Sequence, residues 1–462
     1  MATVAPLAAR SGRGGELGLL VLALATSVYA FAQVSLAMTG GLSSDFRRFA
    51  IVYPALAIIM HVLLRLRAAY ADPVILPITV LLNGTGLAMI YRLALHYEQA
   101  EPRFAQIFSR QLVWTAVGVT AAVLVLGLLR DHRTLRRFTY TAMALGLAGL
   151  VLPLVPILGH EEGGSRIWIR LGTMSFQPAE VSKILLAVFF AGYLVTRAET
   201  LSLAGAKFAG LRLPRPRDLG PILAAWLASV AVLIFEKDLG TSLLFFGLFV
   251  AVLYIATNRP SWIVIGLVLF SAGVVVAARV FAHLQTRVAT WLDPFTDYYG
   301  AGYQLSNGLF GLANGGLGGT GWGEGRPDLT SLAFSDFIVD SLGEELGLTG
   351  LFAILTCFVL LVQRGMRAAM GVRDGFGKLL ASGLAFAMAL QVFVVVGGVT
   401  RLIPLTGLTT PFLAAGGSSL VANWMIVALL LRVSDGARRP PPATSEIDLS
   451  GVIAAEADGG AA

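Results

Sequence analysis

The sequence predicts an all-α integral membrane protein with about twelve transmembrane helices and one large extracellular loop. Two observations carry this prediction. The 462 residues are 56% hydrophobic and only 13% charged, whereas a soluble domain is about 25% charged. The apolar residues also form runs of about 20, the length that crosses the ~30 Å hydrocarbon core of a bilayer. Since lipid offers no hydrogen-bond partners to the backbone, such runs are expected to be helical.

The predicted spans are separated mostly by short loops, which indicates one membrane domain. They cover residues 17–38, 49–66, 73–91, 111–129, 138–158, 183–197, 219–235, 239–257, 262–282, 337–362, 379–398 and 412–431. Residues 1–16 precede the first span. Residues 434–462 are rich in proline and small residues, and we expect a disordered tail there.

The distribution of charge predicts the orientation. Lysine and arginine concentrate in the loops on the side that holds the N-terminus, for example in 130–137 and 207–217. The positive-inside rule places that side in the cytoplasm. With twelve spans both termini lie there, and we expect the protein in a bacterial plasma membrane. The net charge of +7 then reflects topology and membrane lipid, and we expect no nucleic-acid partner. Cys357 is the only cysteine, which excludes a disulfide framework and a cysteine-based metal site.

The outer segment 283–335 is too long for a simple connection. It is rich in glycine, which lets a backbone turn tightly or approach a ligand, and tyrosine, phenylalanine and tryptophan are interleaved. A flexible linker is the alternative, but the aromatic residues favour a folded binding surface or a cover over a site.

Two outer-face stretches combine charge with a membrane boundary. Arg166, Trp168 and Arg170 form an amphipathic segment suited to lipid headgroups, and an ordinary interfacial anchor is the alternative. Glu180 and Lys183 are spaced i, i+3 where the next span begins, so they share a helix face and are expected to pair. Charges at such an edge often mark a site.

The next polar stretch is the tight turn at Glu236, Lys237 and Asp238. Three consecutive charges can be a solvated turn, and Asp238 before Gly240 and Thr241 can be a helix cap. A direct role in a site is the third interpretation.

Acidic residues recur at the start of the span after the loop. Asp336, Asp340 and Glu344 are spaced i, i+4, i+8, and Glu345 follows. On one helix they would form a stripe that descends ~12 Å into the membrane. An acid facing lipid costs about 2.5–3.5 kcal/mol, so the stripe predicts a wet cavity, a cation or basic partners. A purely structural ion-pair network is the alternative.

Prolines, glycines and hydroxyl residues crowd the stretch 403–419, which ends in Gly416, Gly417 and Ser418. This composition predicts a broken segment that lines a cavity. The outer face thus offers an acid, several cations and a glycine-rich loop, a combination that suits a lipid substrate with an anionic headgroup. Cations would hold a phosphate or pyrophosphate and Asp336 would act as general base, in glycosyl or phosphoryl transfer.

Five stretches in this order resemble the motifs of the SEDS family, which includes the RodA, FtsW and SpoVE proteins of elongation, division and sporulation. They are Arg166 to Gly172, Gln177 to Lys183, Asp238 to Ser242, Ser335 to Gly347, and Thr406 to Ser419. The family core has ten spans, so the resemblance implies a catalytic core over 73–431 and two extra helices over 17–66.

The resemblance implies a peptidoglycan glycosyltransferase that polymerises lipid II into glycan strands beside a class B penicillin-binding protein. Asp336 would deprotonate the acceptor N-acetylglucosamine 4-hydroxyl, and undecaprenyl pyrophosphate would leave with inversion. Arginines, or a divalent cation such as Mg²⁺ or Mn²⁺, would stabilise the pyrophosphate. The residues expected to bind substrate or pyrophosphate are Arg166, Trp168, Arg170, Glu180, Lys183, Lys237 and Asp238. Those expected to support the site are Asp340, Glu344, Glu345, Gly416, Gly417 and Ser418.

The chain departs from the family pattern at Ile167, Lys237 and Asp340. The variant turn at Lys237 and the extra helices resemble RodA-like members of high-GC Gram-positive bacteria, which favours elongation over division. The main alternative is a lipid II flippase. A transporter should place its charges along a path near the midplane, whereas the charged stretches described above lie on the outer face. The third interpretation of the function is a non-catalytic scaffold that only recruits a transpeptidase.

Overall fold

The computed structural model describes residues 12–100, 104, 106–162, 165–171, 174–203, 205–208, 211–214, 227, 231, 235–236 and 238–440. Within these residues the chain forms thirteen α-helices and five short strands. The helices are α1 (Arg13–Thr39), α2 (Ser44–Arg67), α3 (Ile75–Ala100), α4 (Ile107–Leu128), α5 (Thr139–Val151), α6 (Pro178–Leu203), α7 (Leu239–Thr257), α8 (Ser261–Val280), α9 (Ala282–Leu292), α10 (Tyr303–Gly315), α11 (Ile338–Gly371), α12 (Gly375–Val399) and α13 (Gly417–Arg438).

Ten helices in the described part are long and apolar enough to cross a membrane: α1 to α7 and α11 to α13. The predicted span 262–282 corresponds to α8, whose qualifying apolar stretch, Ser261–Val275, is shorter. The predicted span 219–235 lies almost entirely outside the described residues. The helical membrane architecture predicted from the sequence is confirmed.

Helices α3 and α13 form the centre of the bundle. In each of them 89% of the most apolar 18-residue stretch is buried, compared with 33% in α1 and in α2. Helix α1 packs on α3, α4 on α13, α5 on α6, and α11 on α12. Aromatic stacking joins the first two helices to this core. The ring of Phe31 in α1 lies 4.5 Å from that of Phe49 in α2 and 4.3 Å from that of Tyr91 in α3.

The segment after α5 forms a small antiparallel sheet of β1 (Gly159–Glu162), β2 (Ser165–Leu171) and β3 (Met174–Phe176). A hairpin of β4 (Gly205–Phe208) and β5 (Leu211–Pro214) follows α6. The sequence patterns predicted no strands. In β2 the residues Arg166, Trp168 and Arg170 alternate with isoleucines at a period of two, which is the pattern of a half-buried strand.

The segment 283–335 is ordered, and the linker alternative is wrong. It contains α9, α10 and a 3₁₀ turn at Pro327–Leu329. Its glycine-rich part bonds to α11 where that helix is interrupted at Gly347, whose φ is 68°. Thr320 N donates to Glu344 O at 3.0 Å, and Leu348 N donates to Gly316 O at 2.9 Å.

The last helix extends past the predicted span. It continues to Arg438, with Ser434 and Asp435 buried, so the first residues of the expected tail belong to the fold. The rest of that expected tail, from 441 onward, lies outside the described residues.

Candidate active site

Asp336 lies in the turn before α11, which begins two residues later at Ile338. Its side chain is half-buried, and Ser335 Oγ donates a hydrogen bond to its Oδ1 at 2.9 Å. A methyl group on Gly407 would stand 3.9 Å from Asp336 Oδ2 and 3.8 Å from Arg287 Nη2. The carboxylate and the guanidinium therefore both approach the same point beside Gly407.

Arg287 was missed in the sequence reading. It lies on α9, and its Nη1 donates to the carbonyls of Leu405 at 3.5 Å and Thr406 at 3.3 Å. These bonds hold the guanidinium against the broken segment before α13. A signal was present: Arg287 is the only lysine or arginine between Arg279 and Arg326.

Asp238 caps helix α7 at the same site. Its Oδ1 accepts from Thr241 N at 3.0 Å and its Oδ2 from Thr241 Oγ1 at 2.7 Å. Gln177 Nε2 donates to Asp238 Oδ2 at 3.3 Å. The capping interpretation is confirmed, and the cap also joins α7 to the start of α6. Lys237 lies outside the described residues.

Burial raises the pKa of Asp336, and the nearby charge of Asp238 raises it further. The Ser335 hydrogen bond and the charge of Arg287 act against this but do not reverse it. Burial likewise raises the pKa of Asp238, where Arg287 acts to lower it and Glu180 to raise it. The pKa of Glu236 is raised to about 8 by burial and then by Asp238. Arg287 is thus a cation that acts on two half-buried acids, Asp336 and Asp238.

Lys183 and Glu180 pair as predicted, with Nζ 2.9 Å from Glu180 Oε2. Lys183 Nζ also donates to Gln391 Oε1 at 2.9 Å, and Gln391 Nε2 donates to Thr409 O at 2.9 Å. Lys183 is buried and its partners are already in place. In this state it connects α6, α12 and the broken segment and presents no open charge to a ligand.

The stretch 401–416 contains no helix, which confirms the predicted broken segment. Ser418 Oγ accepts from Gln177 N at 2.7 Å, and Ala415 N donates to Phe334 O at 2.8 Å. Gly416 is the N-cap of α13. A side chain on Gly417 would come within 2.2 Å of Trp114. These residues position the backbone that faces Asp336.

The predicted acidic stripe is wrong, because Asp336 precedes the helix and does not share its face. Asp340 is buried against Gly308, and neither of its carboxylate oxygens has a hydrogen-bond partner among the described residues. Glu344 accepts from Asn314 Nδ2 at 3.0 Å and from Arg326 N at 2.9 Å. Glu345 pairs with Arg92 at 2.8 Å. Glu344 and Glu345 hold the outer segment, in line with the structural alternative.

The residues of β2 are not joined to Asp336. Arg170 Nη2 lies 2.9 Å from His160 Nε2. Arg166 Nε is buried with no hydrogen-bond partner in the described part of the chain. No described hydrogen bond or ion pair connects Arg166, Trp168 or Arg170 to Asp336. A role for the three in pyrophosphate binding therefore stays a prediction.

An apolar cavity of about 460 Å³ opens beside Arg287. Its polar end is formed by Arg287, Ser242 and Thr406, and its walls are side chains of α7, α8, α9 and α12 such as Phe246, Phe270, Val274 and Phe393. The volume is in the range of ligand pockets, about 300–1,000 Å³. The site therefore joins an acid, a cation and an apolar cleft.

The described residues contain no group of three histidine, cysteine, aspartate or glutamate side chains that could hold a metal ion. Mg²⁺ is usually held by one or two carboxylates together with substrate phosphates, so the divalent cation that the resemblance allows stays a prediction.

The chain is similar to proteins of known name along most of its length. Residues 73–439 match the cell cycle protein family FTSW_RODA_SPOVE. The peptidoglycan glycosyltransferase RodA of Mycobacterium tuberculosis (strain H37Rv) is 48% identical over 95% of this chain and 94% of its own length. The stage V sporulation protein E of Bacillus subtilis is 33% identical over 79% of this chain and 96% of its own.

Solved structures agree with the fold. A chain from a peptidoglycan synthase complex that coordinates polymerization and crosslinking matches with a TM-score of 0.64 and 25% identity, over 80% of this chain and 99% of its own. The rod shape determining protein RodA of Thermus thermophilus matches with a TM-score of 0.55 and 24% identity, over 80% and 98%. The family match begins at residue 73, after α1 and α2. This chain is a multi-pass membrane protein of the FTSW_RODA_SPOVE family of cell cycle proteins.

Proposed function

We propose that the chain is a peptidoglycan glycosyltransferase that polymerises lipid II during cell-wall elongation. The observation that carries this proposal is that Asp336 and Arg287 both lie within 4 Å of one point beside Gly407. The 48% identity to a peptidoglycan glycosyltransferase RodA supports the reaction and the elongation role over division.

Asp336 takes the proton of the acceptor N-acetylglucosamine 4-hydroxyl. The freed oxygen attacks the anomeric carbon of the donor glycan and displaces undecaprenyl pyrophosphate with inversion. A raised pKa makes Asp336 a stronger base than an ordinary aspartate.

Arg287 holds the leaving pyrophosphate. A guanidinium binds phosphate oxygens through two parallel hydrogen bonds, and a fixed cation in a water-poor site stabilises charge as it develops. The apolar cavity beside Arg287 then takes part of the polyprenyl chain. The polar and apolar ends of the substrate match the two ends of this cavity.

The site is proposed to face outward, with both termini in the cytoplasm, because the basic loops mark the opposite side. A class B penicillin-binding protein is the proposed partner. The similarity to a chain from a synthase complex that polymerises and crosslinks supports it.

The test is polymerisation of lipid II by the purified chain with its transpeptidase partner in vesicles, without any other glycosyltransferase. We expect Asp336→Asn to abolish glycan strands, since an amide cannot accept the proton. Glu324→Gln removes an exposed carboxylate from the same outer segment and is the matched control. Normal polymerisation by Asp336→Asn would show that the base is another group.

The same variant separates the enzyme from the scaffold and the flippase. In cells, Asp336→Asn should stop growth while the partner still binds, whereas a scaffold would support normal shape. In vesicles, a flippase would move labelled lipid II between leaflets and form no strands.

A further inference from the structure

A second cavity of about 570 Å³ lies at the same end of the bundle as Asp336. It is formed by the end of α3, the residue Phe104, the start of α10 and the stretch 326–334. It shares no lining residue with the apolar cavity beside Arg287. The function proposed above leaves it unused.

The back of this cavity is a wall of aromatic rings. The ring of Phe334 lies 4.9 Å from that of Phe104 and 5.6 Å from that of Tyr97, the latter edge to face. Phe334 and Tyr97 are almost fully buried. Packing fixes these rings, so the wall is preformed.

The rim is polar and open. The side chains of Arg326 and His96 are 65% and 38% exposed, and Tyr303 stands opposite them. Arg326 Nε lies 3.3 Å from Asp328 Oδ2, and no described hydrogen bond uses its two terminal nitrogens. Those donors and the Tyr303 hydroxyl are available to a ligand, while His96 Nε2 lies 3.6 Å from Asp328 Oδ2.

The charges around the cavity balance. Arg92 pairs with Asp328 at 3.1 Å and with Glu345 at 2.8 Å, and Arg326 supplies the second cation. Both arginines lie beside Asp328, so among the described residues neither cation of this cavity lacks a carboxylate partner. Arg287, by contrast, forms its described hydrogen bonds with backbone carbonyls.

A preformed aromatic wall with a neutral, hydrogen-bonding rim is the surface that an amino sugar needs. One face of a pyranose ring carries only C–H groups, which pack on aromatic rings, while its hydroxyl and acetamido groups require donors and acceptors around the edge. The volume also falls within the usual range for ligand pockets, about 300–1,000 Å³.

The cavity ends close to the general base. Phe334 precedes Asp336 by two residues, so their Cα atoms are at most about 7 Å apart. Phe334 O also accepts from Ala415 N at 2.8 Å, in the broken segment that lines the site. A sugar in the cavity would be a neighbour of the sugar at Asp336.

From these observations we propose that this cavity binds a stretch of the glycan strand next to the reacting sugar. The proposal rests on the polymerase function and adds a place for the polymer. It explains how a strand stays on the enzyme between additions.

The probe is a tetrasaccharide of alternating N-acetylglucosamine and N-acetylmuramic acid, without lipid or peptide. It is titrated into the full chain in nanodiscs, with Asp336→Asn present to prevent turnover. We expect Tyr303→Ala with Arg326→Ala to weaken binding at least about tenfold, or ~1.4 kcal/mol. Tyr299→Ala, at a residue that is 92% exposed and outside the cavity, is the matched control and should bind as the parent does.

A second readout uses chains with Asp336 intact. The double variant should make shorter strands than Tyr299→Ala, at an unchanged melting temperature that shows it is folded. Tetrasaccharide affinity and strand length equal to the control's would overturn the cavity proposal while leaving the polymerase intact. Loss of the transpeptidase partner with the sugar still bound would also overturn it, in favour of a protein-docking surface. If the wild type binds the tetrasaccharide but makes no strands, the polymerase function fails and the cavity stands.

Discussion

At the scale of single residues, the reactivity of Asp336 is set by its neighbours. Burial and the charge of Asp238 raise its pKa, and the charge of Arg287 reduces that rise. A general base works only when it is deprotonated, so activity should fall as the pH drops through this raised pKa. The loss should therefore begin at a higher pH than for an ordinary aspartate, whose pKa is about 3.9.

This electrostatic arrangement predicts opposite shifts in two variants. Arg287→Gln removes a charge that lowers the pKa of Asp336, so the acid limb of the pH–rate profile should move to higher pH. Asp238→Asn removes a charge that raises it, so the limb should move to lower pH. The measurement is the initial polymerisation rate as a function of pH. The prediction concerns the pH at the midpoint of the acid limb, not the maximal rate. Equal midpoints in both variants would mean that Asp336 is not the titrating group.

Gly407 provides a steric test of the same point. Its φ of 77° is unfavourable for any other residue, at about 1–2 kcal/mol. An alanine methyl would also lie within 4 Å of both Asp336 Oδ2 and Arg287 Nη2 and take up space beside them. We expect Gly407→Ala to abolish polymerisation. Gly40→Ala is the control, since Gly40 has a φ of 71° and open space around it. Similar activity in the two variants would mean that nothing binds at Gly407.

At the scale of elements, sequence patterns succeeded where the physical signal is local. Apolar runs located the helices, the spacing of Glu180 and Lys183 predicted their ion pair, and the capping interpretation of Asp238 was confirmed. The patterns failed where the prediction depended on the residue at which a helix begins. The acidic stripe assumed a helix through Asp336, but α11 begins at Ile338. Arg287 was missed because its partners, Leu405 and Thr406, are more than a hundred residues away.

The junction of α6, α12 and the broken segment depends on one buried ion pair. Lys183→Met would leave Glu180 buried without its cation, which costs about 3–5 kcal/mol. The double variant Lys183→Met with Glu180→Gln removes both charges and should recover part of that loss. Thermal unfolding in detergent measures both. A double variant no more stable than Lys183→Met would show that the charge of Glu180 is not what destabilises the single variant.

At the scale of the whole molecule, we expect the family core and the two N-terminal helices to have separate tasks. Helices α1 and α2 precede the family match, which begins at residue 73. No described hydrogen bond or ion pair joins α1 or α2 to Asp336, Asp238 or Arg287. The pair is nevertheless bound to the core by stacked rings and by hydrogen bonds from Tyr53 to the carbonyl of Val80 and from Tyr91 to Ser43. We therefore expect α1 and α2 to contribute stability and not chemistry.

Phe31 is the residue that tests this division. It is fully buried and its ring stacks on those of Phe49 and Tyr91, so Phe31→Ala should cost about 3–5 kcal/mol. The melting temperature should drop and α1 should become sensitive to protease, while polymerisation below the transition remains near the wild-type rate. Tyr29→Ala, on the same helix but 61% exposed, should change neither property. If Phe31→Ala remains folded and loses activity, α1 and α2 shape the catalytic site, and the separation of the two tasks is wrong.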